Sequence, residues 1–173
     1  IVITQIVKDQ QITAFNSTDQ LSVFKEAKIM MIDPSQPQRK ALLLSDDFYS
    51  ACSPNVSFDA KNMVFAGQKN KEDVWQIYEM DLTSLQYKTV TNSQENSTDP
   101  AYLPNGKIVY SKEINLANGE MGKALFVRTI DGKQEDQITF NPGYYAGTSM
   151  LHDGRIISLN KASAAVSEKP KLM

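Results

Sequence analysis

One hairpin pattern occurs three times in the chain, and that repetition constrains the fold more than any other feature. The three copies are "SPNVSFDAKNMVFAG" (53–67), "DPAYLPNGKIVYS" (99–111) and "GTSMLHDGRIISL" (147–159). Their turn residues correspond: Phe58-Asp59-Ala60-Lys61, Pro104-Asn105-Gly106-Lys107 and His152-Asp153-Gly154-Arg155. An apolar run follows each turn: "MVF", "IVY" and "IIS". Asn-Gly and Asp-Gly favour the positive φ angles of tight hairpin turns, so two copies carry ideal turn chemistry. Equivalent turn positions 60, 106 and 154 lie 46 and 48 residues apart.

Two further elements keep the same order and nearly the same period. "KIMMID" (28–33), "QIYEMDL" (76–82) and "ALFVRTID" (124–131) are apolar strands that run into Asp33, Asp81 and Asp131. "KALLLS" (40–45), "YKTVTN" (87–92) and "DQITFN" (136–141) follow them. Four strands in about 45 residues is the arithmetic of a propeller blade. The expectation is an all-β chain of β-propeller blades, each with four antiparallel strands. A stretch at 13–30 is the best candidate for a short helix.

The strands are labelled A to D from the central channel outwards. A strands are expected near 54–57, 100–103 and 148–151, B strands near 62–67, 107–111 and 155–159, C strands near 28–33, 76–82 and 124–131, and D strands near 40–45, 87–92 and 136–139. "IVITQIV" at the start reads as the B strand of the earliest blade. The propeller segment therefore spans 1–160. It comprises B-C-D of one blade, whole blades near 54–92 and 100–141, and A-B of a fourth at 147–159. Residues 161–173 read as a tail or linker, or as the start of the next outer strands. About three blades' worth cannot close a ring of about four to eight. This predicts a part of a larger propeller, or self-association into a ring. The start at Ile1 rather than Met predicts a mature or trimmed product.

The residues that carry a family resemblance are "PAYLPNGKIVY", "IYEMD" and "QIT". The sequence resembles the TolB-type, WD-like β-propeller repeat over roughly 25–160. "DPAYLPNGKIVYS" also resembles the propeller of the hydrazine synthase alpha-subunit-like group. Several positions depart from the pattern. Ala60 replaces the turn glycine, Asn62 adds a residue, and His152 replaces the turn proline. The consensus aromatic is Tyr102 in one copy but Val56 and Met150 in the others. Haem-bearing relatives use Cys-x-x-Cys-His, whereas this chain has one Cys and one His, so no haem or other cofactor is carried over. The resemblance implies a bacterial envelope setting, periplasmic or cell-surface.

Composition narrows the function classes. With 18 Lys and Arg against 20 Asp and Glu, the chain has no basic footprint for nucleic acid. No segment approaches the roughly 18 apolar residues of a membrane span. Cys52 stands alone, so no intrachain disulfide forms. His152 lies in a turn, and no Gly-x-Ser-x-Gly elbow occurs, so no catalytic residue is assigned. Asp46-Asp47, Glu72-Asp73 and Glu95 with Asp99 read as solvated loop acids, because the His and Cys ligands zinc prefers are not clustered. The three Asn-x-Ser/Thr sequons, at Asn16, Asn55 and Asn96, read as coincidental.

The D–A loops that join successive blades are the candidate site. Phe48-Tyr49 and Tyr144-Tyr145 are paired aromatics, and Asp99 ends the acidic middle loop. Each aromatic pair reads either as an interface anchor or as packing between blades, and packing is favoured. The expected function is a non-catalytic binding or scaffold module for a protein or glycan partner, or for the remaining blades. The alternative is an accessory propeller of a larger peptidase or multi-domain oxidoreductase. A third class, an enzyme working inside the channel, needs charged A strands, and "PNVS", "PAYL" and "TSML" are bland.

Overall fold

The computed structural model describes residues 1–7, 25–117, 119–141, 143–161 and 171–172. Among them there is no helix. Most of the stretch considered for a short helix lies outside the described residues, and the part from Lys28 onward is a strand.

The first blade contains β1 (Val2–Gln5), β2 (Lys28–Met31) and β3 (Leu42–Leu43), in that order and antiparallel. The second contains β4 (Ser50–Val56), β5 (Asn62–Gln68), β6 (Gln76–Asp81) and β7 (Tyr87–Thr89). The third contains β8 (Ser97–Tyr102), β9 (Lys107–Asn115), β10 (Met121–Thr129) and β11 (Glu135–Gln137). The fourth contains β12 (Tyr144–Met150), β13 (Ile156–Lys161) and β14 (Lys171–Leu172). Part of the segment read as a tail is therefore strand: β13 runs through Lys161, and β14 pairs with Leu159 and Asn160.

Local chemistry explains the hairpins. Ala60, Gly106 and Gly154 all have positive φ, at 58°, 72° and 86°. Asp59 and Asp153 accept the backbone N–H two residues on, from Lys61 at 3.2 Å and Arg155 at 3.1 Å. In the first copy Ser57 N–H reaches Asn62, whereas Leu103 and Leu151 reach Lys107 and Arg155. Asn62 is thus the inserted residue. The C–D turns are held by their Asp residues. Asp33 accepts from Ser35 N–H, Asp81 from Thr83 and Ser84 N–H, and Asp131 from Lys133 N–H.

A second repeated device ties each C strand to its D strand. Ile29, Ile77 and Leu125 donate their N–H groups to the hydroxyls of Ser45, Thr91 and Thr139 at 2.9, 2.8 and 2.8 Å. Their carbonyls accept from Leu44, Val90 and Ile138. The hydroxyl pairs a donor that sits where the short D strand has ended, and a buried N–H left unpaired would be costly.

The A strands start earlier than Pro54, Pro100 and Thr148. Each crosses a bulge: register shifts between Cys52 and Asn55, Thr98 and Ala101, and Ala146 and Ser149. At each bulge sits a left-handed residue, Ser53 (φ 54°), Asp99 (φ 53°) or Gly147 (φ 62°). Proline has no N–H to give the ladder and is tolerated at a bulge, so the strand passes through it. Successive blades are joined by backbone bonds at the D–A crossing. Ala51 N–H donates to Ala27, Ser97 N–H to Trp75 and Lys123 N–H to Gly143.

The core lies between blades. Ile29, Leu44, Phe48, Met63, Phe65 and Tyr78 fill the first junction. Val64, Ala66, Trp75, Ile77, Ile108 and Tyr110 fill the second, and Ala101, Val109, Leu125 and Tyr145 the third. Trp75, just ahead of β6, is an inter-blade core residue.

Candidate functional site

Antiparallel order puts the D–A crossings and the B–C loops at one end of every blade, and the A–B and C–D turns at the other. The five candidate residues do not all lie in loops. Phe48 and Tyr49 precede β4, but Asp99 lies inside β8, and Tyr144 and Tyr145 open β12. The bulge carries the strand back through positions that the prolines mask.

Phe48 is a core side chain, 2% exposed. Its ring meets Phe65 and Tyr78 edge-on, with centroids 5.2 and 4.8 Å away. Gly67 makes room for it, since a Cβ there would come within 2.7 Å of the ring. The Lys69 ammonium covers Phe48 and Tyr87, 4.0 and 4.1 Å from their centroids, which is cation–π distance. Lys69 also donates to the Tyr87 hydroxyl, which donates to Asp47 at 3.0 Å. Burial and nearby negative charge push the Tyr78 hydroxyl above its usual range. Tyr145 is likewise buried, packed with Ala101, Val109 and Leu125. One aromatic of each pair is turned in, Phe48 ahead of β4 and Tyr145 within β12, where successive strand side chains point to opposite faces. Tyr49 and Tyr144 are half-buried.

Asp99 is buried in the inner strand. It accepts from Ser53 Oγ at 3.1 Å and from Thr98 Oγ1 at 3.3 Å. Ser53 holds the same bulge position one blade earlier, so the two inner strands are linked side chain to side chain. This repeated left-handed position was missed by sequence reasoning. Its signal was a Ser, Asp or Gly one repeat apart, just before Pro54, Pro100 and Thr148.

The turn end is electrostatically self-contained. Hydrogen bonds from Ser35, Ser57, Ser84 and Arg155, or their backbone N–H groups, hold Asp33, Asp59, Asp81 and Asp153 below the usual carboxylate range. Bonds from Thr129 and Lys133 take Asp131 to about 2. A cleft of about 550 Å³ lies between Thr89 to Asn92 of the second blade and Arg128 to Gly132 of the third. Its cations are engaged, Lys88 with Glu79 at 2.9 Å and Arg128 with Glu135 at 3.0 Å. His152 is exposed in its turn, and no cluster of His, Cys, Asp and Glu that could hold a metal occurs among the described residues.

No protein-family model and no curated protein matches the sequence. Solved structures do match in fold. A putative TolB from Agrobacterium tumefaciens superposes with TM-score 0.68 at 17% identity, over 86% of this chain and 53% of that one. TolB from Acinetobacter baumannii gives 0.66 at 19% identity, over 85% of this chain and 34% of its own. Kuenenia stuttgartiensis hydrazine synthase gives 0.67 at 18% identity, over 78% and 24%. The fold is that of a TolB-type β-propeller. The chain spans about half of the first of these structures, about a third of the second and about a quarter of the third. Within the TolB-type fold, Tyr49 and Tyr144 share the crossing end of the blades. Phe48 and Tyr145 hold the blades together, and Asp99 bridges two inner strands.

Proposed function

We propose that the chain is a non-catalytic binding or scaffold module of a bacterial envelope protein, periplasmic or cell-surface. It presents the crossing end of its blades to a protein or glycan partner. The observation that carries this reading is the split within each aromatic pair. Phe48 and Tyr145 are locked into the core, and this rigidly positions Tyr49 and Tyr144 at the crossing end. Half-exposed aromatics on a rigid scaffold are suited to anchoring an interface. The likeness to the TolB structures supports the envelope setting.

The test replaces Tyr49, Tyr144 or the turn residue Phe58 with a benzophenone amino acid and irradiates each variant with a bacterial periplasmic extract and with isolated peptidoglycan. Adducts from positions 49 and 144 but not 58 are expected. Equal adducts from all three, or none from 49 and 144, would overturn the reading.

The likeness to hydrazine synthase, of which the chain spans 24%, favours one second reading: an accessory propeller of a larger enzyme. A catalytic domain in the flanking reading frame is the observation that separates the two.

A further inference from the structure

Four positive-φ glycines directly follow an Asn or an Asp: Gly106 after Asn105, Gly119 after Asn118, Gly132 after Asp131 and Gly154 after Asp153. In such a pair the glycine nitrogen can attack the side-chain carbonyl carbon before it and close a five-membered succinimide. Glycine has no Cβ to obstruct the approach. Two things block the step: a backbone N–H that is already bonded, and a side chain that is held elsewhere or ionised.

Three of the four pairs are blocked. Gly119, Gly132 and Gly154 donate their N–H groups to the carbonyls of Leu116, Thr129 and Leu151, each at 2.9 Å. Asp131 and Asp153 also accept from Lys133 and Arg155 N–H. Those bonds hold both carboxyls ionised, and a carboxylate resists a nucleophile. Asn118 itself lies outside the described residues.

The turn between β8 and β9 differs. Leu103 N–H still donates to the Lys107 carbonyl at 2.8 Å and closes the hairpin. The inner bond, from Gly106 N–H to the Leu103 carbonyl, is not made, which leaves an open turn. Asn105 does not take the Lys107 N–H, as Asp59 and Asp153 take those of Lys61 and Arg155. Among the described residues, neither the Asn105 side chain nor Gly106 N–H has a hydrogen-bond partner. Both residues are exposed, and no other residue stands within 4 Å of where a Gly106 Cβ would lie.

We propose that Asn105 is a modification site, at which the folded chain converts its own amide to aspartate and isoaspartate. The deprotonated Gly106 nitrogen attacks Asn105 Cγ. The N–Cγ bond forms, the Cγ–Nδ2 bond breaks, and Nδ2 leaves as ammonia with protons from water. Water then opens the succinimide. Opening at Cγ gives aspartate, and opening at the backbone carbonyl gives isoaspartate, whose main chain runs through one extra methylene. One water enters and one ammonia leaves, so no oxidant or cofactor is needed. The turn end gains a negative charge in either product. The A–B turn lies opposite the crossing end, so the site does not depend on the partner read there.

Peptide mapping of the full chain over time in mildly alkaline buffer tests this, with and without urea. Tryptic peptides 89–107 and 113–123 carry Asn105 and Asn118 separately, and fragmentation places the modified residue. In the folded chain Asn105 should convert about three- to tenfold faster than Asn118, the rate equivalent of one hydrogen bond at Gly119. In urea the two rates should converge. Isoaspartate is read separately, by methyl transfer from S-adenosylmethionine with an isoaspartyl methyltransferase. Asn105→Ser should remove most of that signal from the aged native chain, and Asn118→Ser little of it. Equal or slower conversion at Asn105 in the folded chain, a preference that persists unchanged in urea, or a signal that survives Asn105→Ser overturns the proposal.

Discussion

Ala60 holds a left-handed conformation that Gly106 and Gly154 hold in the other two turns. A Cβ costs roughly 1–2 kcal/mol there, partly offset in the unfolded chain, where alanine has fewer conformations to lose than glycine. Ala60→Gly should therefore raise stability by about 0.5–1 kcal/mol, and Gly106→Ala should lower it by about 1 kcal/mol. Urea unfolding midpoints check both, and a shift of the same sign in the two variants contradicts the account. At this scale the turns were legible, because Asn-Gly and Asp-Gly state their backbone geometry in two letters. The bulge residues Ser53 and Asp99 were not, since neither side chain by itself demands a positive φ. Nor could alternation along the chain say which aromatic of a pair faces inward, until the strand starts at Ser50 and Tyr144 were known.

The elements were legible wherever a local rule repeats. The B strands, the C strands with their Asp-held turns, and the order of blades follow from the period. The starts of the A strands did not, because Pro54 and Pro100 read as strand beginnings although the ladder runs through them. The hydroxyls at Ser45, Thr91 and Thr139 recur in the sequence, but only the backbone shows that each closes a C strand. In the third blade, Glu135 ties three strands together, accepting from Tyr110, Lys112 and Arg128. Burial pushes its carboxyl upward, but the bonds from Tyr110 and Lys112 outweigh that and hold it below its ordinary range. Burial, and then the same contact, push the Tyr110 hydroxyl far above its ordinary range. Because the carboxyl is depressed in the folded state, its contribution is full above the unfolded value of about 4.3. It is lost as pH falls through the folded value. Glu135→Gln should flatten the acid limb of stability between about pH 5 and pH 3, measured by thermal unfolding, and leave Tyr110 bonded. A variant with an unchanged acid limb contradicts this role.

At the scale of the molecule, each blade is stabilised by its neighbours, so stability is close to a sum of blade and junction contributions. The second and third blades have four strands and apolar neighbours on both faces. The first has three described strands, with β1 at its inner edge, and the fourth is likewise three-stranded. Local opening should therefore be costliest in the middle blades and easiest at the two outer ones. Amide hydrogen exchange, read strand by strand, is the measurement that tests the stack of blades most directly. The slowest exchange is expected in β5, β6 and β9, with the hydroxyl-bonded amide of Ile77 slower than that of Ile29, and faster exchange in β1, β3 and β13. Protection greatest in β1 to β3, or the same in every strand, would contradict it.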